Sequence, residues 1–187
     1  APLKTDAPFP AAKNCLHQQG LAQTLALPGG TETTFLWMRV FFVYGPGQRP
    51  ASLVPSLMAQ ALRGEAPALR SPANRNDFIH VDDVALAFAL ALEKAPCGAG
   101  ASRVYNVGAG APVRVADVAR MVYTALGRGE LLEGLEAQAA ATPPTEDFWA
   151  DAARLKADTG FTPQVELGRG IAHMLRHAGA QPEDGAQ

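Results

Sequence analysis

Charge is scarce in this sequence. Only 18% of the 187 residues are Asp, Glu, Lys or Arg, and the formal net charge is -2. The basic residues are scattered, with no Lys/Arg run and no interleaving with aromatics, so the footprint of a nucleic-acid-binding protein is missing. Long hydrophobic runs are missing too. The longest, Val84 to Leu92, is short and alanine-rich, well under the roughly 20 residues of a membrane-spanning helix. Cysteine occurs twice, at Cys15 and Cys97, without metal-type spacing, so two free thiols in a reducing, cytoplasmic setting are expected. The start, Ala1-Pro2-Leu3-Lys4, carries neither an initiator Met nor a signal-peptide pattern. A fragment, a processed product or a trimmed chain is the expectation.

What is present suffices for one domain with a core: 48% of the residues are hydrophobic. Residues 1–12, rich in Pro and Ala, read as a loop. A helix follows from Lys13 to about Leu27, with Leu16, Leu21 and Leu25 near helical spacing, closed by Pro28-Gly29-Gly30. Thr33 to Val43 has the Thr, Val and aromatic content of a buried strand. Pro50 and Ser52 open a helix with Leu53, Leu57 and Leu62 on one face, and Gly64 ends it. Phe78 to Val81 is a short strand, after which Asp82 or Asp83 is placed to cap a helix with a Val84, Phe88, Leu92 stripe. A third strand, Val104 to Val107, runs into Gly108-Ala109-Gly110. The next helix uses Val115, Val118, Val122 and Leu126 and stops at Gly127. Residues 129–147 read as irregular. Helices over Asp151–Thr159 and Leu167–His177 flank a strand-like Pro163–Glu166, and the polar tail from Gly179 to Gln187 reads as disordered. Alternating strands and helices point to a parallel, doubly wound α/β fold. Three or four strands are too few to cover such a sheet, so an unpaired apolar edge is expected.

A dinucleotide fingerprint needs strand, Gly-x-Gly-x-x-Gly and helix, because the glycines let backbone amides approach a pyrophosphate. Gly108-Ala109-Gly110-Ala111-Pro112 follows a strand, but no third glycine arrives in register and Pro112 lacks an amide donor. This segment is read as a structural turn.

Two other landmarks carry more. Arg39-Val40-Phe41-Phe42-Val43-Tyr44-Gly45-Pro46-Gly47-Gln48 is an apolar strand broken by a sharp turn, and Asn76-Asp77-Phe78-Ile79-His80-Val81-Asp82-Asp83-Val84 follows downstream. Together they resemble the C-terminal half of the extended short-chain dehydrogenase/reductase family, the NAD(P)-dependent nucleotide-sugar epimerases and dehydratases. The resemblance runs over about residues 5–176. It implies an incomplete Rossmann-like doubly wound parallel sheet plus a small C-terminal substrate-binding lobe. Residues 1–128 would supply the C-terminal part of the Rossmann-like domain with interleaved substrate-lobe segments. Residues 129–178 would supply the rest of that lobe, and 179–187 the tail.

The resemblance also assigns residues. Lys13 in Ala11-Ala12-Lys13 matches the lysine of the family's Tyr-x-x-x-Lys pair, which lowers the Tyr pKa and binds the nicotinamide ribose. It is therefore named as both catalytic and cofactor-binding. Four residues earlier stands Phe9; either it replaces the Tyr, or a few residues containing that Tyr are missing between Pro10 and Ala11. Judged without the resemblance, Lys13 is equally a solvated residue at a helix N-terminus. Phe41 is the second cofactor candidate. Arg39, Tyr44, Val54, Arg75 and Asn76 are the substrate-binding candidates. The family has Asn where this chain has Phe42, Arg where it has Asn76, and commonly a second diphosphate-binding Arg where it has Pro143. For Phe41 and Phe42, core packing is the plainer reading, and His80 is read as a hydrogen-bonded structural histidine.

The expected function is the substrate-binding C-terminal portion of an NAD(P)-dependent nucleotide-sugar epimerase, dehydratase or reductase. The alternative is a non-catalytic remnant or interaction module that has lost the cofactor site and the catalytic Tyr. NAD or NADP is implied by resemblance, with no binding expected by this chain alone. A nucleotide sugar is the implied partner, and a homo-oligomer or a complementary N-terminal half completes the expectation.

Overall fold

The computed structural model describes residues 8–26, 33–98, 101–145 and 147–180. Of the expected loop over 1–12, residues 1–7 lie outside the described residues, as do the Pro28-Gly29-Gly30 stop and the tail beyond residue 180, while residues 8–12 are helical and not loop. Helix α1 spans Pro8–Leu25, so it starts five residues before the expected Lys13. Strand β1 covers Thr34–Val40 and β2 covers Phe42–Tyr44, which divides the single expected strand at Phe41. The reason is a change of partner. β1 runs parallel to β4 (Ala101–Val107), whereas β2 runs parallel to β3 (Arg75–His80). At the break the Phe41 N–H still donates to the Val107 carbonyl, 3.0 Å away. β3 pairs antiparallel with the short β5 (Pro112–Arg114), a strand with no periodic signal in the sequence.

The fold is thus mixed α/β, with five strands among the described residues, in a two-stranded and a three-stranded sheet. Its helices are α2 (Leu53–Leu62), α3 (Val81–Lys94), α4 (Val115–Ala125), α5 (Leu135–Ala141), α6 (Ala153–Thr159) and α7 (Leu167–His177). A 3-10 turn at Gly129–Leu132 and α5 occupy the stretch expected to be irregular. Leu135 and Ala139 of α5 enter the same core as α2, α4 and α7, so packing makes that segment helical.

Among the described residues, two cores lie on the sheets. One gathers Tyr44, Leu57, Phe78, Val118, Val122 and Leu175, and the other Ile79, Ala87, Tyr105, Val107, Leu155 and Phe161. The α4 stripe Val115, Val118, Val122 and Leu126 is buried as its spacing predicts, and Gly127 closes the helix at φ +66°. On α3 the predicted stripe turns the wrong way. Ala87 and Ala91 face the core while Phe88 and Leu92 are exposed, because the small residues permit close approach to the sheet. Leu62 of α2 and Leu16 and Leu25 of α1 are likewise exposed.

Buried carboxylates join segments that are distant in the chain. Asp77 is fully buried and accepts from the Ala109, Gly110 and Ala150 N–H groups at 2.6–2.9 Å. Asp83, also buried, accepts from the Gln164 and Val165 N–H groups at 2.8 and 3.0 Å. Those two amides therefore serve a side chain and not a ladder, which is why the expected strand at 163–166 does not form. The α3 cap is neither Asp82 nor Asp83. It is His80, whose Nδ1 accepts from the Asp82 N–H at 3.2 Å.

Candidate functional site

A cavity of about 350 Å³ opens between α2, the 68–74 loop and β3. Its aromatic side comes from Phe42 and Phe78, with ring centroids 5.8 Å apart. Phe148 stands 5.5 Å from the Phe42 ring and 5.8 Å from that of Phe41. Its polar side comes from Gln60, Arg70, Ser71, Asn74 and Asn76. Two of these are already held in place. The Asn74 side chain accepts from the Thr145 N–H at 2.9 Å and donates to its hydroxyl, and Gln60 Oε1 accepts from the Ala68 N–H at 2.7 Å. An apolar, aromatic wall facing a few fixed polar groups is the usual character of a small-molecule site.

The predicted residues separate around this cavity. Asn76 lines it, whereas its neighbour Arg75 is exposed and does not, since adjacent strand positions face opposite ways. Tyr44 and Val54, expected at the substrate, are each only 1% exposed and belong to the core. The Tyr44 hydroxyl donates to the Leu167 carbonyl at 3.4 Å. Burial, with the nearby charges of Glu166 and Asp83 as lesser causes, pushes its pKa well above the ordinary tyrosine value. Gly170 makes this packing feasible, because a Cβ there would come within 2.2 Å of the Tyr44 hydroxyl oxygen. Phe42 reverses the other expectation: at 39% exposure it is a cavity wall and not core. Phe41 is half-buried beside Phe148. Arg39 is exposed on β1 and Lys13 is exposed on α1, both away from the lining of this cavity.

Arg70, Ser71 and Gln60 are cavity residues that sequence reasoning missed. The available signal was an Arg-Ser pair in the loop leading into β3, outside both landmark motifs.

The glycine-rich turn after β4 does not fit a dinucleotide pyrophosphate. The Ala109 and Gly110 amides that would grip phosphate donate to Asp77 instead. A Cβ at Gly108 would lie 2.5 Å from both the Asp77 carboxylate and the Ala150 methyl, so the concavity is filled from within. Among the described residues, no helix is long and apolar enough to cross a membrane.

Comparison with known proteins agrees with this architecture. The sequence model of the NAD dependent epimerase/dehydratase family matches residues 1–108, more than half of the chain. This chain belongs to that family. A dTDP-glucose 4,6-dehydratase of Streptomyces griseus is 27% identical over 179 residues, covering 91% of this chain and 49% of the relative. The crystal structure of a dTDP-glucose 4,6-dehydratase from Bacillus anthracis in complex with NAD superposes with a TM-score of 0.74 at 23% identity, covering 95% of this chain and 54% of that one. MoeE5 in complex with UDP-glucuronic acid and NAD gives a TM-score of 0.68 at 27% identity, covering 95% and 56%. The family member described here spans about half the length of these relatives.

Proposed function

We propose that this chain supplies the substrate-binding part of an NAD(P)-dependent nucleotide-sugar epimerase, dehydratase or reductase. The observation that carries the proposal is the cavity beside β3, where the Phe42 and Phe78 rings face Arg70, Ser71, Asn74 and Asn76. Aromatic faces suit a nucleobase, and a guanidinium with neutral amides suits a diphosphate. Arg70 stands in for the cation that the sequence lacks at Asn76, and it reaches the site from the loop. The relatives that carry dTDP- or UDP-sugars in their names support a nucleotide sugar as the ligand. NAD or NADP follows from the same relatives, with Lys13 and Phe41 as the candidate contacts and no pyrophosphate cradle in the glycine turn. No chemical step is assigned to this chain by itself.

The test is a titration of the 187-residue chain with UDP and dTDP, followed by backbone NMR. Saturable shifts at Phe42, Ser71 and Asn76 are expected, with R70Q weakening the affinity by about tenfold. Unmoved resonances at those residues would sink the proposal. The non-catalytic reading rests on Phe9, four residues before Lys13. It is favoured if the chain binds UDP yet converts no UDP- or dTDP-sugar when NAD or NADP is supplied.

A further inference from the structure

A second cavity, of about 360 Å³, opens between the start of α3 and the outer face of α7. Its wall includes His80, Asp82, Gln164, Arg169, His173 and Arg176. Arg169, His173 and Arg176 recur at i, i+4 and i+7, which places all three on one face of α7, with the two guanidiniums rooted about 10 Å apart along the axis. Among the described residues neither guanidinium is engaged in an ion pair.

His80 forms the buried part of the wall at 1% exposure, its ring centroid 5.7 Å from that of His173. Its Nδ1 accepts the Asp82 N–H, so in the neutral ring the proton sits on Nε2. That Nε2 is buried and, among the described residues, has no hydrogen-bond partner. A buried N–H donor without an acceptor is uncommon. The ring that carries it belongs to the wall of a cavity that also presents two guanidiniums, a second imidazole and an amide.

His80, Asp82 and His173 bring ligand atoms within 4.8 Å of one another, an arrangement a cation could also use. The rest of the cavity favours the opposite charge. A metal would need a bare nitrogen of His80: at Nε2 that conflicts with the cap made by Nδ1, at Nδ1 it competes with the Asp82 N–H, and either way the ion would face Arg169 and Arg176. The neighbouring acids are largely committed. Asp83 accepts the Gln164 and Val165 N–H groups, and Glu166 accepts the Gly168 and Arg169 N–H groups. Asp82 is mostly exposed and places its carboxylate 3.4 Å from His80 Nδ1.

We propose that this cavity binds a small tetrahedral oxyanion of the phosphate class. Arg169 and Arg176 grip it from α7, and His80 Nε2–H and His173 donate from within. The site involves no residue of the cavity beside β3, so it stands or falls independently of the nucleotide-sugar reading.

The 187-residue chain is titrated with inorganic phosphate at constant ionic strength while the imidazole resonances are followed by NMR. Saturable shifts of the His80 and His173 rings are expected, and the double variant R169Q/R176Q, altered only at exposed positions, should weaken binding by at least about tenfold. Circular dichroism checks that the variant keeps its fold; H173Q, also at an exposed position, is the second probe and should weaken binding as well. Absence of saturable shifts, or equal phosphate affinity in the wild type and both variants, overturns the proposal. A parallel Zn²⁺ titration that saturates the same imidazoles, unaffected by phosphate, also overturns it in favour of a metal site.

Discussion

Asp77 shows how one side chain can carry more structure than its position in a motif suggests. It lies in a strand, fully buried, and its two oxygens take three backbone N–H groups from the turn after β4 and from the segment at Ala150. Asp77→Ala would leave those donors without an acceptor in the interior. The expected cost is about 3 kcal/mol or more, measured as a lower urea midpoint. Asp77→Asn keeps one carbonyl acceptor and should recover part of that loss. Equal stability of the wild type and the Ala variant would contradict this role. The landmark Asn76 to Val84 is legible in the sequence as a motif, but the tasks inside it are not. Reading alone could not tell that Asp77 and Asp83 bind distant amides or that His80 is the helix cap. The two carboxylates answer to amides tens of residues away, whereas the His80 cap reaches only to the Asp82 N–H and competes with the acids beside it.

At the scale of elements, α4 and α5 are tied by a charged network on their outer faces. Arg114 donates to Asp117 at 2.8 and 2.9 Å and to Glu136 at 3.1 and 3.2 Å, and Arg120 bonds both acids. The hydrogen bonds from Arg114 and Arg120 hold the Asp117 and Glu136 carboxyls below their ordinary pKa values. A depressed folded-state pKa stabilises the fold above the unfolded carboxylate range, about pH 4, and this contribution is lost as pH falls through the folded values. Solvent screening keeps it small. The urea midpoint should therefore drop between pH 5 and 3 (roughly, from those reference values), and D117N/E136Q should flatten the drop. An identical pH profile in the double variant would rule the network out as its source. Amphipathic α4 was legible because its Val115, Val118, Val122 stripe is regular and buried on one side only. The helix α3 was legible but its buried face was not, and alanine-rich α5 was missed, since small residues leave the choice of buried face to the neighbour.

At the scale of the whole molecule, the apolar surface left outside the two cores is considerable. Leu92 is 76% exposed on α3 beside Phe88, and Leu16 and Leu25 lie open on α1. Among the described residues β1 pairs with β4 alone, so its other edge carries no ladder. Exposed apolar side chains and an unpaired edge favour association. The chain by itself is expected to form concentration-dependent oligomers in analytical ultracentrifugation. A single monomeric species across the accessible concentration range would refute that expectation.

Membership of the epimerase/dehydratase family and the alternation of strands with helices were written in the residues themselves. Turn glycines, apolar periodicity and ordered motifs are local properties that survive without coordinates. Only the folded molecule decided that Arg70 enters the cavity while Arg75 stays outside, that the Gly108 turn encloses a carboxylate of its own chain, and that His80 ends as an unpartnered donor beside two arginines. Those outcomes depend on which faces of distant segments meet, and the spacing of residues along one segment holds no record of that.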